Sequence, residues 1–160
     1  MNYLEYGDAC NPTIILLHGG GLAPWNYFEE AKLLQYRYHV VLPVIDGHSG
    51  SDKDFTTIEN NADEILSYID KNCNGKVLMI CGLSLGGQIL VDLLARRKNI
   101  CKFAIVTSLD KGTQPFVVCD GQVKVKFSTQ SKRVRRLRGS VRSGRRQPVA
   151  CPRSQFLPIG

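Results

Sequence analysis

Hydrophobic and polar positions along residues 1–107 fall into blocks whose lengths and periods separate strands from helices. The run Thr13-Ile14-Ile15-Leu16-Leu17 is continuous and β-rich, as are residues 38–43, 77–81 and 103–107, the pattern of parallel strands buried on both faces. Between them lie helical periods. Residues 25–36 place Trp25, Phe28, Ala31, Leu33 and Leu34 on an amphipathic helix. Residues 56–72 give the clearest helix: Ile58, Ala62, Ile65, Leu66 and Ile69 share one face, Thr56-Thr57-Ile58-Glu59 has capping-box spacing, and Asn74-Gly75 ends the segment. Residues 89–95 are apolar almost all round and predict a buried helix, with Arg96-Arg97-Lys98 at the end the dipole favours for cations. Residues 2–6 suit a short edge strand closed by Gly7-Asp8 and the Asn11-Pro12 turn signal. Strands alternating with helices predict an α/β protein with a mostly parallel sheet covered on both faces.

The segment joining the strand at 77–81 to the following helix is Gly82-Leu83-Ser84-Leu85-Gly86-Gly87. A strand that reverses into a helix within so few residues holds the serine at its tip in a strained conformation, lifted clear of the sheet edge. Glycine is wanted at 82 and 86, where a side chain would collide as strand and helix converge. The turn therefore reads as a nucleophile elbow, with the Leu85 N–H, at the new helix's N-terminus, facing whatever Ser84 attacks. A βα turn with an incidental serine is the alternative reading of this segment alone.

A second motif follows the strand at 13–17. His18-Gly19-Gly20-Gly21 lets the backbone approach a ligand closely and aim N–H groups inward, which a developing oxyanion requires. His39 lies inside a strand and reads as a core or edge histidine. The loop from Val44 to Asp52 is dense in turn residues, and its Asp46 and His48 read as groups that bond local backbone rather than as catalysts.

Charge divides the chain. Residues 1–110 carry 9 Lys+Arg against 13 Asp+Glu, whereas residues 111–160 carry 12 against 1. An acidic domain thus precedes a basic tail. The six cysteines, Cys10, Cys73, Cys81, Cys101, Cys119 and Cys151, show no C-x-x-C, and His18, His39 and His48 have no metal-ligand spacing. Neither a disulfide framework nor a metal or other cofactor is expected. No apolar run approaches the roughly 20 residues that span a bilayer, and the first residues lack a signal peptide's basic and apolar regions, so no membrane partner is expected. Free thiols and no export signal lead to the expectation of a cytoplasmic protein.

With these motifs in hand, residues 2 to about 107 resemble the N-terminal half of an α/β-hydrolase-fold enzyme of the small single-domain serine esterase or peptidase-like type. The markers are Leu17-His18-Gly19-Gly20-Gly21, the loop Asp46-Gly47-His48-Ser49-Gly50-Ser51-Asp52, and Gly82-Leu83-Ser84-Leu85-Gly86-Gly87, in the family's order and spacing. The resemblance implies Ser84 as nucleophile, the N–H groups of Gly20 and Leu85 as the oxyanion hole, and His18, Gly19 and Gly21 as the residues that shape its loop. It implies acyl transfer from a small ester-like substrate, followed by hydrolysis of the acyl-enzyme. Ester, thioester, lactone and small amide all stay open. Serine at the elbow argues against the dehalogenase and epoxide-hydrolase branches. The family's order is serine, then acid, then histidine. Here the chain departs, because no histidine follows Ser84. Asp110 or Asp120 stands where the acid is expected.

The tail accounts for the departure. Phe116-Val117-Val118-Cys119 offers one strand, but beyond Ser128 the composition is Arg, Ser, Gly and Pro with little apolar period, and such a segment is expected to stay disordered. It reads either as a basic arm that contacts nucleic acid or another anionic surface on a non-catalytic scaffold, or as the product of a shifted reading frame near residues 107–111. The abrupt loss of pattern, and the lack of aromatics among the arginines, favour the shifted frame. On the family's strand order, residues 103–107 would then be an uncovered apolar edge.

Overall fold

The computed structural model describes residues 1–107 in full and, beyond them, the backbone of strands Phe116–Cys119 and Gln122–Lys126. The chain divides into two units, residues 1–129 and 130–160, and everything described belongs to the first. Asp110, Asp120 and the basic stretch beyond Ser128 lie outside the described residues.

Strands β1 (Asn2–Tyr6), β2 (Thr13–Leu17), β3 (His39–Val44), β4 (Val77–Leu83), β5 (Cys101–Thr107), β6 (Phe116–Cys119) and β7 (Gln122–Lys126) form one sheet in the order β1-β3-β2-β4-β5-β6-β7. The central pairs β3/β2, β2/β4 and β4/β5 are parallel, with β1 antiparallel on one side and β6 and β7 antiparallel on the other. Alternation along β2 divides the core. Ile15 and Leu17 face helices α2 (Ile58–Asn72) and α3 (Leu85–Arg96), in a cluster with Ile65, Ile69, Ile89, Leu90 and Leu93. Ile14 and Leu16 face the opposite side, with Ala31 of helix α1 (Phe28–Leu34) and its neighbours Phe28 and Leu34. Apolar runs with no polar break thus find both sheet faces covered, as the pattern requires.

Several boundaries differ from expectation for local reasons. The helix expected at 25–36 is a 3₁₀ turn at Pro24–Tyr27 followed by α1, so Trp25 and Leu33 do not share a buried face; they are 54% and 76% exposed. Helix α2 is capped by Thr57, whose hydroxyl accepts from the Asn60 N–H, one residue later than the capping-box spacing suggests. Helix α3 is buried on one face only, with Val91 exposed. Residues 103–107 are not an uncovered edge: β6 pairs with β5 from Phe103↔Cys119 to Val106↔Phe116, because an aromatic and β-branched run without proline can satisfy the ladder's N–H and C=O groups. β7 carries no clear apolar signal and was not anticipated. Cys10 is disulfide-bonded, which corrects the expectation of free thiols throughout; Cys81 and Cys101 are free.

Three backbones meet at the C-terminal end of β4. A Cβ added at Gly82 would lie 2.3 Å from the Gly86 carbonyl oxygen, and one added at Gly86 would lie 2.4 Å from that of Leu17. At Gly20 an added Cβ would meet nothing closer than Leu85 Cβ at 3.8 Å. Backbone cannot yield as a side-chain tip can. Gly86→Ala is therefore expected to lower unfolding free energy by about 3 kcal/mol or more, while Gly20→Ala changes it by less than about 1 kcal/mol. Urea denaturation of both variants checks the contrast.

Candidate active site

Ser84 stands between β4 and α3 with φ 50° and ψ −110°, a left-handed φ that L-residues seldom adopt. Its backbone is fixed from both sides. The Ser84 N–H donates to the Thr107 carbonyl at 2.8 Å, and the Ser84 carbonyl accepts the first helical bond of α3 from Gln88 N–H at 3.0 Å. Thr107 also donates its hydroxyl to the Gly82 carbonyl, tying the end of β5 to the elbow. Serine at a helix N-cap ordinarily turns its hydroxyl onto the first-turn N–H groups. At this backbone angle it makes no such bond, so the half-buried side chain is left to other work. Cys81, three residues earlier, is no rival nucleophile, because burial pushes its thiol pKa up.

The glycine segment after β2 lies alongside, since β2 and β4 pair in register up to Leu17↔Gly82. A Cβ added at Gly20 would come within 3.8 Å of Leu85, and one added at Gly19 within 3.4 Å of Leu83. Of the three glycines only Gly21 has a positive φ, 72°; at Gly20 an added Cβ would make only ordinary contact with Leu85.

His18 is fully buried beneath this segment. The Ile45 N–H can only donate, so Nε2, 3.2 Å away, accepts and Nδ1 carries the proton. Nδ1–H then donates to the Gly19 carbonyl at 3.0 Å, an oxygen that also accepts from Leu22 N–H. The Gly19 carbonyl and the Gly20 N–H belong to one planar trans peptide and point in opposite directions. Holding that carbonyl toward His18 fixes the direction of the Gly20 N–H. Burial is the main cause that pushes the His18 pKa down, with a smaller contribution from His48, opposed by the bond to Gly19.

The loop after β3 is built as the sequence suggests, from local bonds. Half-buried His48 donates Nδ1–H to the Asp46 carbonyl, and buried Asp46 accepts from the Ser51 hydroxyl. Buried Asn61 of α2 accepts the Asp46 N–H at 3.0 Å and donates to the Thr57 carbonyl. Sequence reasoning passed over Asn61 and Thr107. The available signal for Asn61 was an amide beside Ala62, on the face of an otherwise apolar stripe. His39 lies elsewhere. It begins β3 opposite Thr13, at the other end of the parallel strands, and bonds Thr13 and Glu5. The four residues from Thr13 to Leu17 alone put roughly 13 Å between it and the elbow. Among the described residues no cluster of His, Cys, Asp or Glu could hold a metal ion, and no helix is long and apolar enough to cross a membrane.

Because the unfolded His18 titrates near about pH 6.5 and the folded one lower, the unfolded chain takes up its proton first as pH falls. Its stabilising bonds are fully present above that value and lose ground as pH drops through it toward the folded pKa. The urea midpoint is expected to fall between about pH 7.5 and about pH 5.5, and His18→Gln should flatten that slope.

A model of the Alpha/beta hydrolase family matches residues 14–157. A pimeloyl-[acyl-carrier protein] methyl ester esterase of Aromatoleum aromaticum is 29% identical over 108 residues, which are 67% of this chain and 39% of that one. Among solved structures, an esterase of a marine microorganism superposes with TM-score 0.60 at 24% identity, over 66% of this chain and 40% of that one. The 2-hydroxy-6-oxo-6-phenylhexa-2,4-dienoate hydrolase of Rhodococcus sp. strain RHA1 gives TM-score 0.61 at 22% identity, over 70% and 44% respectively. Both show a shared fold. The chain spans about 39% of the length of that methyl ester esterase. From its strand order, its elbow and the family match over most of its length, the chain belongs to the alpha/beta hydrolase family.

Proposed function

We propose that this fold serves acyl transfer to Ser84 from a small substrate with a carboxylic ester-type bond. Ser84 Oγ attacks the carbonyl carbon and passes its proton to solvent water, which returns one to the leaving group. The carbonyl oxygen becomes an oxyanion that accepts hydrogen bonds from the N–H groups of Gly20 and Leu85. Collapse of the tetrahedral intermediate expels the alcohol, which takes a proton as it leaves, and water then hydrolyses the acyl-enzyme to acid and free Ser84. The observation that carries the reading is the Ser84 backbone at φ 50°, with a hydroxyl that does not cap its own helix, beside the glycine segment that the Leu17↔Gly82 register brings alongside. The methyl ester esterase among the relatives supports the choice of bond.

The proposal includes impaired catalysis. A serine hydroxyl is a weak nucleophile until a base takes its proton. No histidine follows Ser84 in the sequence, His18 is committed through both ring nitrogens, His48 is held by its bond to the Asp46 carbonyl, and His39 sits at the far end of the sheet. The two oxyanion donors still stabilise the transition state, by roughly 3–4 kcal/mol each in a competent site.

A fluorophosphonate probe tests both halves. Ser84 is expected to label on the order of 10⁴-fold or more slower than the serine of a complete triad, to speed up with added imidazole, and not to label in Ser84→Ala. Labelling that survives Ser84→Ala would refute the site. Labelling as fast as that of a complete triad, without imidazole, would refute the impairment.

A further inference from the structure

The geometry around His18 points to a second positioning residue, His48, whose ring, packed edge-on against His18, keeps the Gly19–Gly20 peptide in the orientation that presents the Gly20 N–H. The two ring centroids are 5.1 Å apart with an interplanar angle of 66°. His18 holds the Gly19 carbonyl only while Nδ1–H points at it and Nε2 faces the Ile45 N–H. A half-turn of the ring about its bond to Cβ would exchange carbon for nitrogen at both places and release the peptide. Such a turn would have to disturb the edge contact that the His48 ring makes with the His18 ring.

His48 is itself held. Its Nδ1–H donates to the Asp46 carbonyl at 3.0 Å, while the N–H of the same residue is gripped by Asn61 Oδ1 at 3.0 Å and its carboxylate accepts from Ser51. The loop is folded tightly on itself: the Gly47 N–H donates to the Lys53 carbonyl at 2.7 Å, and a Cβ at Gly47 would lie 2.6 Å from Phe55. Helix α2 therefore reaches the glycine segment through a chain of contacts from Asn61 to Asp46 to His48 to His18 to Gly19. None of these side chains takes part in bond making at Ser84. Their effect passes through the direction of one amide, the kind of support on which preorganised sites depend.

This inference rests on reading Gly20 N–H as an oxyanion donor, but its test does not use Ser84 reactivity, so the two can fail separately. In the full chain labelled with ¹⁵N, His18 is expected to show the single neutral Nδ1–H tautomer. In His48→Ala, the His18 signals should broaden or shift toward mixed tautomers, and the Gly20 amide cross-peak should shift or broaden as its peptide samples a second orientation. The cross-peak of the Ile80 amide in β4 should stay unchanged, which separates a local effect from loss of fold. His48→Phe, which keeps an aromatic edge but loses the bond to Asp46, should restore both readouts toward the parent protein. Unchanged His18 and Gly20 signals in His48→Ala would overturn the inference. So would a His48→Phe variant as disturbed as His48→Ala, because the ring contact would then not be the cause.

Discussion

Everything at this end of the sheet depends on backbone touching backbone. The carbonyl of Gly86 lies where a Gly82 side chain would be, and the carbonyls of Leu17 and His18 lie where a Gly86 side chain would be. Side chains normally hold a strand and a helix apart. Removing them at two positions brings the end of β4, the first turn of α3 and the end of β2 within direct contact, and the residue between them, Ser84, takes up the strain as a left-handed φ. Such a conformation persists only where its surroundings over-determine it. Here they do, through Thr107 on one side and Gln88 on the other.

The polar groups nearby follow from the same crowding. A chain that turns sharply next to a buried strand end leaves carbonyl and N–H groups that water cannot reach, and each must find a partner. His18 satisfies two at once, the Gly19 carbonyl and the Ile45 N–H, and Asn61 satisfies the Asp46 N–H. A neutral imidazole suits this position because it donates from one nitrogen and accepts at the other. Burial keeps it neutral, and neutrality preserves both bonds.

Much of this was legible in the residues, and the exceptions have physical causes. The continuous runs at residues 13–17 and 77–81 read as doubly buried strands, and both lie in strands of the sheet, while glycines two residues either side of Ser84 read as a tight elbow. The helix over 25–36 misled because periodicity cannot see that Pro24 starts a 3₁₀ turn, which rotates Trp25 out of the stripe. The cap at Thr57 rather than Thr56 reflects two adjacent residues with equal capping chemistry, between which tertiary packing chooses. Asn61 was invisible for a different reason: a buried amide on a helix declares itself only when its partner, the Asp46 peptide fifteen residues earlier, is in place. The acid candidates Asp110 and Asp120 lie outside the described residues, so the reading of them rests on sequence alone.

Membership of the alpha/beta hydrolase family supplies the architecture, and the proposed chemistry turns on whether one hydroxyl and two amides converge on a single point. A crystal structure of the full chain after prolonged exposure to a fluorophosphonate tests this most directly. The phosphorus is predicted to be bonded to Ser84 Oγ, with one phosphonyl oxygen about 2.7–3.1 Å from both the Gly20 and Leu85 nitrogens. An adduct whose oxygens all point to solvent, or a Ser84 side chain turned into the core with the Gly20 N–H facing away, would contradict it.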